Sequence, residues 1–227
     1  EMYTFFERCI RGGMTFVNKH FIRNEIISHK GTELMQHLAY IDENNLYGNA
    51  LRKPLPHSEF SWVEEIELFT RDFILRLDEE GEWGYTLEVD LAYPEHLHDK
   101  TADFPLAPET GEITQDMLSN FMKSFHNTLN PNKIYKPTRK LLLTQFNKLH
   151  YFVHFAILKF YLEMGLTLIK VHRVVKYKQK PWLKPYIDFN SQQRASSCND
   201  FDKAFYKLKN NALFGKTMED ARKRINF

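Results

Sequence analysis

Two short stretches of this chain bring together side chains suited to handling phosphates. The first, Asp42-Glu43-Asn44-Asn45-Leu46-Tyr47, follows an apolar run, His37 to Ile41, that reads as a strand; Glu43 to Leu51 then reads as a helix stopped by Pro54 and Pro56. A carboxylate leaving a rigid strand is well placed for Mg2+, which takes one or two protein carboxylates plus substrate phosphates. The same residue also suits a plain helix N-cap. The second stretch is Lys207-x-x-x-Asn211-Ala212-Leu213-Phe214-Gly215. On a helix, positions 207, 211, 214 and 215 share one face, which aligns a cation, an amide, a ring and a bare backbone patch. Lysine meets a phosphate as a point charge, and glycine lets a flat base pair approach. An ordinary amphipathic helix with a solvated lysine has the same spacing. Upstream, the glycines of Arg11-Gly12-Gly13 allow a tight turn or a close approach of backbone to ligand.

The elements expected to position these residues follow from periodicity and breakers. Apolar spacing predicts helices over 62–75, 114–128 and 152–164, the last capped by Gly165, and alternation predicts strands over 85–91 and 166–177. A proline-rich loop spans 94–108, and Asn130, Pro131, Asn132 and Pro137 mark a turn-rich connection. Two further helices, 182–195 and 201–224, flank the polar break Ser196 to Asp200 and predict a helical hairpin. The mixture is of the α+β class.

With 227 residues, 43% of them hydrophobic and 15% aromatic, the chain is long enough for one or two cores, and its composition excludes disordered, collagenous and disulfide-framework classes. Cys9 and Cys198 form no CxxC pair, so neither a zinc site nor a disulfide framework is indicated. The longest apolar stretch, 149–169, is broken by His150, His154, Lys159 and Glu163, which predicts a soluble chain with no membrane partner. The net charge of +2 hides a partition: residues 1–58 carry +1, 59–116 carry −14 and 117–227 carry +15. A basic C-terminal half predicts a polyanion partner, although two oppositely charged lobes or solvated faces would give the same sums. Basic residues interleaved with Tyr177 and Trp182 over 170–184 suit backbone tracking with base stacking.

Taken in order, Arg11-Gly12-Gly13, Asp42-x-Asn44-Asn45-Leu46-Tyr47 and Lys207 to Gly215 resemble the family B DNA polymerases. The closest likeness is to the protein-primed branch of tailed phages, linear organellar plasmids, self-synthesising transposons and related viruses. The resemblance implies a DNA-directed DNA polymerase that adds a dNTP to a 3′-OH, or to a priming protein's hydroxyl, in DNA replication. The first segment is similar to a Tyr-x-Gly-Gly element that contacts template DNA, which gives that role to Arg11, Gly12 and Gly13. The second resembles motif A, which makes Asp42 the catalytic, metal-binding aspartate, adds the Glu43 carbonyl to the Mg2+ site, and makes Tyr47 the steric gate against a 2′-OH. The third resembles motif B: Lys207 and Asn211 would bind the dNTP, and Phe214 and Gly215 would line the base-pair pocket. Arg194, before the polar break, would be a second triphosphate ligand.

The likeness implies a partial palm sheet, helical-hairpin fingers and an inserted subdomain, with boundaries at 1–59, 60–149 and 150–227. Its implied partners are a DNA template-primer, dNTPs and a terminal priming protein that the acidic insertion would face. An intracellular location is expected: nuclear for a transposon-derived gene, mitochondrial or virus-associated otherwise. Ile10 stands in place of the family's tyrosine, Asn45 and Gly48 replace the serine and proline of motif A, and Ala212 and Phe214 replace the serine and tyrosine of motif B. The Asp-x-Asp hairpin of motif C does not occur after Gly215, so the second catalytic aspartate is expected outside these residues and the chain reads as a palm-and-fingers fragment. A catalytically dead transposon or viral remnant that binds nucleic acid without turnover is the alternative, and a nuclease using Glu88 and Asp90 is a third reading. Asp90-Leu91-Ala92-Tyr93-Pro94 imitates motif A without a leucine before the tyrosine. His96, His98, Asp99, His150 and His154 read as loop and helix residues, not metal ligands.

Overall fold

A computed structural model of the chain describes residues 1–17, 21, 23, 26–29, 32–35, 37–131 and 133–224. In chain order its elements are α1 (Met2–Glu7), β1 (Ile26–His29), β2 (Thr32–Met35), α2 (Leu46–Leu51), β3 (Leu55–Trp62), α3 (Arg71–Arg76), β4 (Trp83–Ala92) and β5 (Glu109–Ile113). There follow α4 (Asn120–Leu129), β6 (Thr138–Leu142), β7 (Lys148–His154), α5 (Phe155–Glu163), β8 (Thr167–Lys180), α6 (Lys184–Ser196) and α7 (Asp200–Thr217). The fold is α+β. Its main sheet has the order β3-β8-β4-β7, and β1-β2 and β5-β6 form two-stranded antiparallel ribbons. No helix among the described residues is long and apolar enough to cross a membrane. The chain divides into two compact units: unit 1 holds residues 1–18, 61–77 and 85–176, and unit 2 holds 19–60, 78–84 and 177–227.

Unit 1 is organised by the alternation in β4. Leu87, Val89 and Leu91 point to one face, are 0% exposed, and pack with Phe155, Leu158 and Leu162 of α5 and Ile74 of α3. Full burial of each such side chain contributes about 1.5–3 kcal/mol. On the other face, Phe5 of α1 meets Trp62 and Phe152 edge to face at 5.1 and 5.0 Å. The β4–β7 register runs Leu87↔Val153, Glu88↔Phe152 and Val89↔Tyr151, then shifts to Leu91↔Lys148. Leu149 and His150 therefore stand opposite Asp90 alone, a β-bulge in which His150 takes the left-handed φ of 50°. Gly165, at φ 110°, ends α5 as the spacing predicts.

Unit 2 is organised by the helical hairpin. Asn199 caps α7, its Oδ1 accepting from the Asp202 N–H at 2.8 Å, and Asp200 and Asp202 in the first turn suit the positive end of the helix dipole. Leu51 of α2, Leu183 and Ile187 form a small apolar core with Leu55, Leu213 and Phe214 packed on it. Inside the hairpin the buried Asn190 donates to Asn210 Oδ1 at 3.1 Å. Gln179 Nε2 donates to the carbonyls of Glu79 and Gly81 at 3.0 Å each and so holds the 78–84 loop.

Four expectations need correction. The apolar run 37–41 is not a strand: it has no regular secondary structure, Tyr40 and Ile41 are 100% and 86% exposed, and no described segment pairs with it. The helix predicted over 62–75 is reduced to α3 with a short 3-10 turn at Ile66–Leu68, since residues to Trp62 belong to β3. The helix over 152–164 begins only at Phe155, because Tyr151, Phe152 and Val153 complete β7. Tyr177 cannot stack on a base, being wholly buried beside Phe60. The 182–195 helix, the break and the start of the last helix match α6, its end and α7, although α7 stops at Thr217.

Candidate functional site

The hairpin of unit 2 places its cations by simple geometry. Arg194 lies in the last turn of α6, where a positive charge suits the helix dipole. Lys203 and Lys207 are one turn apart on α7, so they share a face. All three line one cavity of about 390 Å3 together with Asn45, Ser191 and Asn210. Among the described residues no carboxylate lines it and neither Arg194 nor Lys207 has an ion-pair partner, whereas Lys203 reaches only the exposed Asp200 at 3.6 Å. Like charges at i, i+4 cost a helix about 0.2–0.5 kcal/mol. Three cations converging on a concave surface without an acid make a site whose electrostatics favour a multiply charged anion.

At the N-terminus of α2, Asn45 and not Asp42 occupies the cap position, with φ 58° and ψ 41°. Its Nδ2 lies 3.4 Å from Ser191 Oγ, so the turn before α2 reaches the cavity wall. Two departures from the polymerase pattern prove to be one physical unit: a Cβ on residue 48 would fall 2.3 Å from Asn45 Nδ2. Any larger residue there would push the amide away from Ser191. Asn49 Nδ2 donates to Glu43 Oε1 at 2.9 Å and to the Asn44 carbonyl at 3.1 Å, tying the turn to the helix. The Tyr47 ring, 46% exposed, stacks on Phe214 with centroids 4.2 Å apart and planes 9° from parallel. Phe214 also packs on the apolar core of Leu51, Leu183 and Ile187, which gives the stack a rigid backing.

Other site residues stand apart from that cavity. Asn211 is exposed and does not line it; the buried Asn210, one position earlier, does, with its Nδ2 3.5 Å from Ser191 Oγ. Gly215 has nothing within 4 Å of a would-be Cβ, so its surface is open. Asp42 and Glu43 lie in exposed chain, and among the described residues no group of three His, Cys, Asp or Glu side chains is close enough to hold a metal. Lys203 is the functional candidate that the motif comparison missed; its position one turn before Lys207 was the available signal.

In unit 1, Arg11, Gly12 and Gly13 follow α1 as open chain, and Arg11 lies over the Tyr151 ring at 3.9 Å. Glu88 and Asp90 are engaged internally. Glu88 accepts from Arg173 Nε at 2.5 Å and lies 2.8 Å from His150 Nδ1. Asp90 accepts from the His150 N–H at 2.8 Å, and His172 Nε2 lies 2.8 Å from its other oxygen but off the hydrogen-bond direction, so that contact is electrostatic. Burial pushes both carboxyls up. The hydrogen bonds and charge of Arg173 and His150 outweigh it for Glu88, and the contacts with His150 and His172 do so for Asp90, holding both below their usual values. Carboxylates bound in this way are poor ligands for the metal of a nuclease. Neither a family model, nor a curated protein, nor a solved structure matches the chain, so the likeness to family B polymerases rests on the order of its sequence motifs alone.

Proposed function

We propose that the chain is part of a DNA-directed DNA polymerase and that the unit 2 cavity receives the triphosphate of an incoming dNTP. One observation carries this reading: Arg194 and Lys207, assigned from the resemblance alone, lie on separate helices and line a single acid-free cavity. Lys207, Lys203 and Arg194 would neutralise the triphosphate, and Tyr47, held flat on Phe214, would sit under the deoxyribose and leave no room for a 2′-OH. The primer 3′-OH would attack the α-phosphorus in line and lose its proton to solvent, the new P–O bond forming as the bond to pyrophosphate breaks, and the residues above would position and neutralise the leaving group. Mg2+ at Asp42 and the Glu43 carbonyl would supply charge neutralisation when bound. Arg11, Gly12 and Gly13 would contact the template, and the acidic 59–116 block is the face for a basic priming protein.

These residues alone lack the second catalytic aspartate, so template-primer extension with Mg2+ and dNTPs by a polypeptide that also carries an Asp-x-Asp hairpin downstream of Gly215 tests the reading. Extension that falls at least about 100-fold in Asp42→Ala and Lys207→Ala supports it. Template-primer binding without extension, unchanged by either substitution, supports the remnant reading, which the exposed setting of Asp42 favours.

A further inference from the structure

We infer that unit 1 carries a phosphate-binding site of its own, built by Arg8, Arg11 and Arg139 around the β-bulge at His150, which grips the backbone of a single nucleic-acid strand. The three arginines come from the end of α1, the chain after it and β6, and with His150 they line a cavity of about 520 Å3. Among the described residues none of the three has a carboxylate within ion-pair distance, although Glu7 and Glu109 border the same cavity. Glu109 is already committed, its Oε1 lying 2.7 Å from Lys148 Nζ and 2.8 Å from Thr144 Oγ1. Unit 1 has as many acidic as basic side chains, so the local surplus arises from placement and not from net charge.

Aromatic rings hold two of the guanidiniums in place. Arg11 lies 3.9 Å from the Tyr151 centroid and Arg8 5.2 Å from that of Phe152, and both rings are buried in the sheet. A guanidinium held over a ring face keeps N–H donors for phosphate oxygens, although Arg11 gives one of its own to the Cys9 carbonyl at 3.2 Å. The bulge presents His150 at this wall in a left-handed conformation that non-glycine residues adopt only where the surrounding structure holds them. Its Nδ1 is committed to Glu88, which fixes the ring's orientation. Leu149 and Ile10, 70% and 51% exposed, offer apolar surface for sugar and base beside the cations. An acidic peptide would use the cations alone, whereas a nucleic-acid strand uses cations, planar guanidinium faces and apolar rim together. The inference rests on the template contact that the polymerase reading gives to Arg11, Gly12 and Gly13 and deepens it by adding Arg8, Arg139 and His150 to the site.

Fluorescence anisotropy with a labelled oligothymidylate, the full chain and no added dNTP tests it. Arg139→Ala should weaken binding about 10-fold and Arg8→Ala/Arg139→Ala about 100-fold, with a salt dependence shallower by about 0.7 per lost phosphate contact. Arg139 is exposed, so the single variant should keep the wild-type thermal unfolding curve, and Arg139→Glu should bind still more weakly. Lys207→Ala, which tests the dNTP cavity, should bind the oligonucleotide like the wild type, so the two readings fail separately. Unchanged affinity in the double variant overturns the inference. So does equal affinity for thymidine monophosphate, for blunt duplex DNA or for polyglutamate, since each would mean a site that does not distinguish a strand.

Discussion

The buried ionic cluster of unit 1 and the hairpin cavity of unit 2 treat charge in opposite ways. In unit 1 the most buried ionic groups satisfy one another: Lys148, 1% exposed, gives its ammonium to Glu109 and to both oxygens of Thr144, and Glu88 is held by Arg173 and His150. In unit 2 Arg194, Lys203 and Lys207 face a cavity that no acid lines among the described residues. A paired, desolvated charge belongs to the scaffold, and removing one partner strands the other. Unpaired charges that converge in a solvated cleft are cheap for the fold and are available to a ligand. The contrast separates residues that hold the molecule together from residues that act for it.

Substitutions on the two sides should therefore split stability from binding. Lys148→Ala should cost about 3–5 kcal/mol in urea unfolding, because it empties a packed position and leaves Glu109 and Thr144 without their donor. Lys207→Ala should stay within about 0.5 kcal/mol of the wild type in the same measurement. Equal costs would erase the distinction.

Acid should sharpen the contrast to a smaller degree. Glu88 and Asp90 both have carboxyls held below their unfolded values, so the stability they add is complete above about pH 4.5 and drains away as pH falls through the lower folded values. The urea midpoint of the unit 1 transition should drop between about pH 5 and about pH 3, and Glu88→Gln should flatten that drop, a comparison that denaturation followed by tryptophan fluorescence can make. The smallest effect concerns the thiols. Burial pushes the Cys9 thiol in unit 1 up to about 12, whereas Cys198 in unit 2 is exposed at the hairpin break. Ellman's reagent at about pH 8 should titrate one thiol quickly and the second only on unfolding.

Elements whose neighbours lie close in sequence were the readable ones. The α6–α7 hairpin follows from a polar break between two periodic stretches, and β4 from clean alternation, because both patterns are local. Arg194 and Lys207 were legible through motif order, and their meeting in one cavity follows from the hairpin. What escaped depends on distant partners. The run 37–41 has strand composition but finds no paired neighbour, and the β5–β6 ribbon joins segments separated by α4. Tyr151-Phe152-Val153 satisfies helical and strand spacing alike until the β4 register decides it. The choice between Asn210 and Asn211 turns on a helix rotation of one residue, set by the buried contact with Asn190. The tie between Asn45 and Gly48 needs coordinates, since spacing does not show a side chain folded over its own helix.

The most direct test is isothermal titration of dATP into the wild-type chain and into Arg194→Ala and Lys207→Ala. The account predicts that the wild type binds the triphosphate at least about 10-fold more tightly than the monophosphate, and that each substitution weakens triphosphate binding about 10-fold while leaving the monophosphate nearly unchanged. Equal affinity for the two nucleotides, or triphosphate binding indifferent to both substitutions, would contradict it.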